Sequence, residues 1–115
     1  MGNLASTTSI NAGPHIVLLG DSTFDNKGYT QDAPSVSEHV STNFESVTLC
    51  ARDGALISAL EHQMQTIPDS ATHLVVSIGG NNGLELAGLL TKPCSIVEEG
   101  VIRLYESMKS FEAEY

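Results

Sequence analysis

Three short apolar runs divide this chain, and each of them predicts a buried β-strand. They cover residues 15–20, 46–50 and 73–79. All three have strand length and β-branched side chains, and each leads into a glycine or a polar turn. The first and third runs are nearly continuous, which is typical of a parallel strand that is buried on both faces, whereas the second has apolar residues at Val47 and Leu49.

Apolar residues at helical spacing lie between and after these runs. Residues 32–44 predict a helix on the sheet, with Pro34 and two serines at its start and apolar positions at Val36, Val40 and Phe44. Residues 55–65 predict a second helix, with apolar positions at Ala55, Leu56, Ala59, Leu60 and Met64. Residues 95–115 predict a long amphipathic helix with an apolar face of Ile96, Val97, Val101, Leu104, Tyr105, Met108 and Phe111. Alternating strands and helices predict an α/β fold, a parallel sheet covered on both faces.

Composition limits the class of protein. The 115 residues suffice for one domain, and the formal net charge of -9 with only five Lys plus Arg argues against nucleic acid as a partner. Residues 1–14 are rich in Ser, Thr, Asn and Gly and predict a flexible leader before a domain at 15–115. We expect no membrane span and no signal peptide, and therefore a cytoplasmic protein. Gly2 and Ser6 match the short N-myristoylation pattern.

The cysteines and histidines show no ligand spacing. Two cysteines, Cys50 and Cys94, cannot form a disulfide framework, and we expect both to be buried thiols in a reducing compartment. The four histidines are scattered along the chain. We therefore expect no metal site and no cofactor.

Chemistry-bearing residues follow each predicted strand. Asp21 and Ser22 follow the first strand, Gly54 follows the second, and Asn81 follows the third. Because the carboxyl ends of parallel strands meet at one edge of the sheet, these residues are expected to lie together. The Ser22 oxygen can attack a carbonyl, and the amides of Ser22, Gly54 and Asn81 can bind the oxyanion that forms. The alternative is that Asp21 and Ser22 only cap the turn after the strand.

The same residues resemble the three first blocks of the SGNH (GDSL) hydrolases. Gly20-Asp21-Ser22 with Asp25-Asn26 resembles the first block, Gly54 the second, and Gly79-Gly80-Asn81-Asn82 the Gly-x-Asn-Asp of the third. The resemblance covers residues 16–115. It implies a flavodoxin-like three-layer α/β/α sandwich and hydrolysis of a small-molecule carboxylic ester or thioester. It also implies Ser22 as nucleophile, an oxyanion hole completed by Gly54 and Asn81, and a supporting loop of Gly20, Asp21, Asp25, Asn26, Gly80 and Asn82.

Two features depart from that family. Asn82 stands where the family usually has Asp, and the Asp-x-x-His block that supplies the catalytic base occurs nowhere in the sequence. His15 and His73 begin predicted strands at the opposite edge of the sheet, whereas His39 and His62 lie within covering helices. None is expected to reach Ser22. The sequence thus predicts an SGNH-like domain truncated to about three strands, in the order 2-1-3, and a fragment of a longer enzyme.

Three functions are compatible with these residues. The first is an SGNH-type serine hydrolase that is active only when the missing part is supplied. The second is an inert SGNH-like binding module. The third is a flavodoxin-like phosphate or flavin binder that uses residues 21–26, although this loop is acidic and lacks a Gly-x-Gly-x-x-Gly motif or a P-loop lysine. In all three the third strand, residues 74–78, lies at an open edge, which predicts self-association or aggregation.

Overall fold

The fold is a parallel three-stranded sheet with short helices around it. The computed structural model describes residues 13–115, so the N-myristoylation pattern and almost all of the predicted leader lie outside the described residues. Strand β1 is His15–Gly20, β2 is Ser46–Leu49 and β3 is His73–Ser77. All pairs are parallel and the order is β2-β1-β3, with Val17 opposite Thr48 on one side and Leu74 on the other. The predicted α/β class and strand order are confirmed.

Within residues 13–115, four α-helices accompany the sheet. They are α1 (Val36–Ser41), α2 (Leu60–Met64), α3 (Gly80–Ala87) and α4 (Val97–Glu114). Single-turn 3₁₀ segments cover Lys27–Tyr29, Ile57–Ala59 and Gly88–Thr91. Among residues 13–115, no helix combines the length and the apolar character needed to cross a bilayer.

The core is centred on β1, all six residues of which are buried. Val17 and Leu19 form a buried cluster with Cys50, and the partly buried side chains of Leu60, Ile67 and Ala71 pack against it. The Cys50 thiol is therefore a small core side chain, as predicted. A strand that is buried along its whole length holds its carboxyl end in a fixed position, which matters for the loop that follows.

Helix α1 begins with a capping box. The backbone N–H of Glu38 donates to Ser35 Oγ at 3.2 Å, and the backbone N–H of Ser35 donates to Glu38 Oε2 at 2.7 Å. The Ser35 N–H, aided by the Lys27 ammonium, lowers the pKa of Glu38. The charged form of Glu38 therefore stabilises the helix at pH values above the ordinary glutamate pKa. This stabilisation is lost as the pH falls through the lowered pKa of Glu38. The predicted helix extended to Phe44, but α1 ends at Ser41 and Phe44 is exposed.

The predicted helix over residues 55–65 is shorter than expected. It begins as the 3₁₀ turn Ile57–Ala59 and continues as α2 for only five residues. Met64, an expected core position, is 54 % exposed, whereas Gln63 is 4 % exposed. The reason lies in the hydrogen bonds of Gln63 to β1, which turn this polar side chain inward.

Strand β3 is not covered as the alternation of elements predicted. Leu74, Val75 and Val76 are 54 %, 42 % and 53 % exposed, although β3 alternates its side chains between the two faces of the sheet. The expected amphipathic helix is present as α4, yet its apolar stripe is exposed as well: Val97, Val101, Tyr105 and Met108. The described residues therefore form a parallel α/β sheet without a complete helical layer on either face of β3.

Candidate active site

Gly20 ends β1 in a conformation and a space that only glycine tolerates. Its φ is +130°, and an added Cβ would lie 1.8 Å from the carbonyl oxygen of Ser77 on β3. The side-chain amide of Gln63 forms two hydrogen bonds with the backbone of Gly20. The Gly20 N–H donates to Gln63 Oε1, and Gln63 Nε2 donates to the Gly20 carbonyl, both at 2.8 Å. These contacts fix the point at which the chain leaves the sheet.

Asp21 acts as a buried turn cap directly after Gly20. Its Oδ1 accepts from the N–H of Thr23 at 3.0 Å, and its Oδ2 lies 3.8 Å from the position that a Cβ on Gly80 would take. The capping interpretation of Asp21 is therefore correct for this carboxylate. Ser22 follows on the same turn and is half-buried. Its hydroxyl forms no hydrogen bond with any of residues 13–115, so it is free to meet a ligand.

The loop after β2 is tied to the loop after β1 by two carboxylates. Asp25 Oδ2 accepts from the N–H of Asp53 at 2.7 Å, and Asp53 Oδ2 accepts from the hydroxyl of Tyr29 at 2.7 Å. Gly54 comes next with a φ of +81°, a conformation that favours glycine. Asn26, the other polar residue of the first block, holds α1 instead, because its Oδ1 accepts from the N–H of Val36 at 2.9 Å.

The first turn of α3, which follows β3, is hydrogen-bonded to the loop after β2 through two asparagines. Asn81 Nδ2 donates to the carbonyl of Ala55 at 3.1 Å. Asn82 is 6 % exposed, and its Oδ1 accepts from the N–H of Ile57 at 2.9 Å. The other end of the Asn82 amide donates to Glu114 Oε2 at 3.0 Å, which anchors the last turn of α4. An aspartate cannot make this last contact without protonation, so Glu114 favours the asparagine at position 82.

The segments after the three strands are thus hydrogen-bonded to one another at one edge of the sheet. Three N–H hydrogens in these segments have no acceptor among residues 13–115. Among residues 13–115, the backbone N–H groups of Ser22 and Gly54 donate to no acceptor. Asn81 Nδ2 carries two hydrogens and uses one of them on Ala55, so the second is available. A serine hydroxyl and N–H donors that form no hydrogen bond within residues 13–115 are the kinds of group that a nucleophile and an oxyanion hole require.

The histidines lie elsewhere, as expected. His15 is 9 % exposed, with Nδ1 2.9 Å from Ser70 Oγ and Nε2 2.7 Å from Thr48 Oγ1, at the amino edge of the sheet. His73 bonds to Thr72 beside it, while His39 and His62 are exposed on α1 and α2. None of the four histidines, all within the described part of the chain, bonds to Ser22.

Two cavities lie along α4 and apart from Ser22. One of about 310 Å³ separates the N-terminal half of α4 from the Gly88–Thr91 segment, and one of about 260 Å³ separates its C-terminal half from α3. Cys94 lines the first and is exposed, so the prediction that it is buried was wrong. The reason is that the segment before α4 lies outside the sheet core.

Comparison of the chain with protein-family models, with curated proteins and with solved structures finds no match. A functional interpretation of this edge therefore depends on its residues and their geometry.

The Tyr29–Asp53 contact yields a direct spectroscopic prediction. The hydrogen bond to Asp53, and then its negative charge, raise the pKa of Tyr29. The neutral phenol therefore stabilises the loop below the ordinary tyrosine pKa, and this contribution is lost as pH rises through the raised value. Because the chain has three tyrosines, we expect absorbance titration of Asp53→Asn to show one phenol titrating at lower pH than in the wild type. An unchanged titration curve would contradict the contact, and Tyr29→Phe identifies the phenol concerned.

Proposed function

We propose that this chain carries the nucleophile and the oxyanion-binding groups of an SGNH-type serine hydrolase that acts on carboxylic esters or thioesters. The proposal is supported by the hydrogen bonds that join the segments after the three strands. It is also supported by the Ser22 hydroxyl and the N–H groups of Ser22 and Gly54, which form no hydrogen bond within residues 13–115. Tight cross-loop hydrogen bonds hold Gly54 and Asn81 in position, which is the preorganisation that such catalysis needs.

The reaction follows from these roles. Ser22 Oγ attacks the ester carbonyl as its proton passes to a base, and the carbonyl oxygen becomes an anion bound by the three donors. Collapse of this tetrahedral species breaks the bond to the alcohol or thiol, which leaves with a proton, and an acyl group stays on Ser22. Water then attacks the acyl carbon, releases the carboxylic acid and restores the serine.

Within residues 13–115, no histidine is hydrogen-bonded to Ser22 to act as its base. Each histidine lies away from Ser22, and a serine hydroxyl without a base is a weak nucleophile at neutral pH. In the proposed enzyme, a longer chain or a partner protein therefore supplies the imidazole. The chain alone retains only the catalysis that the oxyanion donors and substrate binding provide.

Supplying imidazole in solution tests this assignment. We expect the chain with added imidazole to hydrolyse an umbelliferyl ester faster than Ser22→Ala does at the same imidazole concentration. The rate with Ser22→Ala includes the hydrolysis caused by imidazole itself and is subtracted. Exposed Ser41→Ala serves as a matched control and is expected to behave as wild type. Equal rates for wild type and Ser22→Ala would contradict the nucleophile assignment and favour the inert binding module.

The carboxylates argue against the phosphate or flavin alternative. Asp21 is buried in the first loop, and Asp25 and Asp53 join that loop to the second. Three negative charges around a short loop repel a phosphate, and the chain offers no lysine in this loop before Lys27. Yellow colour and flavin fluorescence of the purified protein would favour the flavin binder over the hydrolase.

A further inference from the structure

The outer edge of β3 is an unpaired strand edge at which a further strand could add to the sheet. Among the described residues β3 pairs only with β1, so its other edge presents free backbone donors and acceptors. Leu74, Val75 and Val76, whose side chains lie on the two faces of the sheet, are each about half exposed. The strand contains no Lys or Pro, the residues that commonly block pairing at an edge. The other edge strand, β2, is half-buried along its length and follows the acidic Glu45.

The distribution of charge indicates where a second copy of this chain could pair with the first. The chain has a net charge of -9, which makes two copies repel each other over most of their surface. Residues 70–84, which contain β3, include no charged side chain, although Asp69 and Glu85 flank them. The apolar stripe of α4 is less suitable, because Glu98, Glu99 and other glutamates accompany it. Two acidic copies therefore meet with the least repulsion at β3.

The sequence of β3 also fits its own copy. In an antiparallel pair centred on Val75, the two Val75 residues oppose each other, and Leu74 of each strand opposes Val76 of the other. His73 then opposes Ser77. Opposed residues lie on the same face of a sheet, so every exposed apolar side chain of β3 gains an apolar cross-strand neighbour. A pair of this kind has two-fold symmetry and buries the same patch on both chains.

We propose that two copies of this chain associate through β3, in antiparallel register about Val75, to form a continuous six-stranded sheet. The inference depends on the open edge and its charge pattern, and it stands or falls independently of the proposed function. Added salt screens the repulsion between two acidic chains, so the dissociation constant of this dimer should fall as the salt concentration rises.

Sedimentation of the full chain over a range of concentrations tests the interface. We expect a monomer–dimer equilibrium in which Val75→Lys raises the dissociation constant at least about tenfold, because two lysines then face each other at the symmetry axis. Val97→Lys, on the exposed stripe of α4, is the matched control and should leave the constant unchanged. A monomer at all concentrations, or a dimer that only Val97→Lys disrupts, would overturn the proposal, as would a dimer that salt loosens.

Cysteine cross-linking tests the register. In a Cys94→Ser background, Val75→Cys should form an intermolecular disulfide, because opposed residues have Cα atoms about 4.5–5.5 Å apart. Val76→Cys, more exposed but displaced from its own copy along the strands, should not. Efficient cross-linking of Val76→Cys, or of neither variant, would contradict the Val75-centred pairing.

Discussion

Gly20→Ala should destabilise the protein by more than about 4 kcal/mol, enough to remove most of the stability of a domain this size. The new methyl group would lie 1.8 Å from the Ser77 carbonyl oxygen, and the φ of +130° is unfavourable for alanine even without that contact. Because Ser77 is the β3 residue that pairs with Gly20, relief of the clash requires β1 and β3 to separate at the candidate site.

Urea unfolding followed by circular dichroism measures this effect, since the chain contains no tryptophan. Gly28→Ala is the matched control: a Cβ at Gly28 meets no atom within 4 Å. We expect it to fold with nearly wild-type stability. A Gly20→Ala variant within about 1 kcal/mol of wild type would show that the end of β1 does not have the close strand contact described above.

Asn81→Ala should lower the imidazole-supported hydrolysis by Ser22 on the order of a hundred- to a thousandfold. Its free Nδ2 hydrogen is proposed to bind the oxyanion, an interaction that is strongest in the transition state, so the loss should fall mainly on kcat and not on KM. The variant also loses the bond to the Ala55 carbonyl, at a cost of about 1 kcal/mol in the free energy of unfolding.

Two measurements separate the catalytic effect from the structural one. Urea unfolding should show that Asn81→Ala remains folded, and exposed Asn43→Ala should keep wild-type activity as the matched control. A folded Asn81→Ala that retains activity within about threefold would remove Asn81 from the oxyanion hole.

Strong local patterns made much of the fold predictable. β1 is apolar from Ile16 to Leu19, and in the structure it is buried throughout, in the centre of the predicted 2-1-3 order. The open edge at β3 followed from that order and is confirmed within residues 13–115, where β3 pairs only with β1. Parallel strands need a crossover connection of about a dozen or more residues, and the segments between the apolar runs are long enough for such connections.

The errors arose where tertiary contacts decide a residue's environment. Helix α3 was not predicted, because Gly79-Gly80-Asn81-Asn82-Gly83 has the composition of a turn; in the structure the helix begins at Gly80, after Gly79 at a φ of +109°. Gln63 was missed because helical spacing places both Gln63 and Met64 beside Leu60, and only the contact with Gly20 selects the polar one.

The sequence indicated residues for the proposed site but not the contacts that hold them in place. Ser22, Gly54 and Asn81 could be selected because chemistry-bearing side chains follow three parallel strands. The residues that hold them were not identified: Tyr29 and Asp53 join the first two loops, and Glu114 anchors Asn82 from the end of α4. These contacts span 24 and 32 positions of sequence, and no local pattern indicates them.

Mass spectrometry of the acylated chain shows whether Ser22 is the nucleophile. The chain is treated with an aryl acetate and imidazole, quenched in acid and digested. The account predicts an acetyl group on Ser22, strongly reduced in Asn81→Ala, because the Ser22 hydroxyl attacks a carbonyl whose oxygen the Asn81 amide binds. Acetyl groups on lysines or Cys94, with Ser22 unmodified, would contradict it.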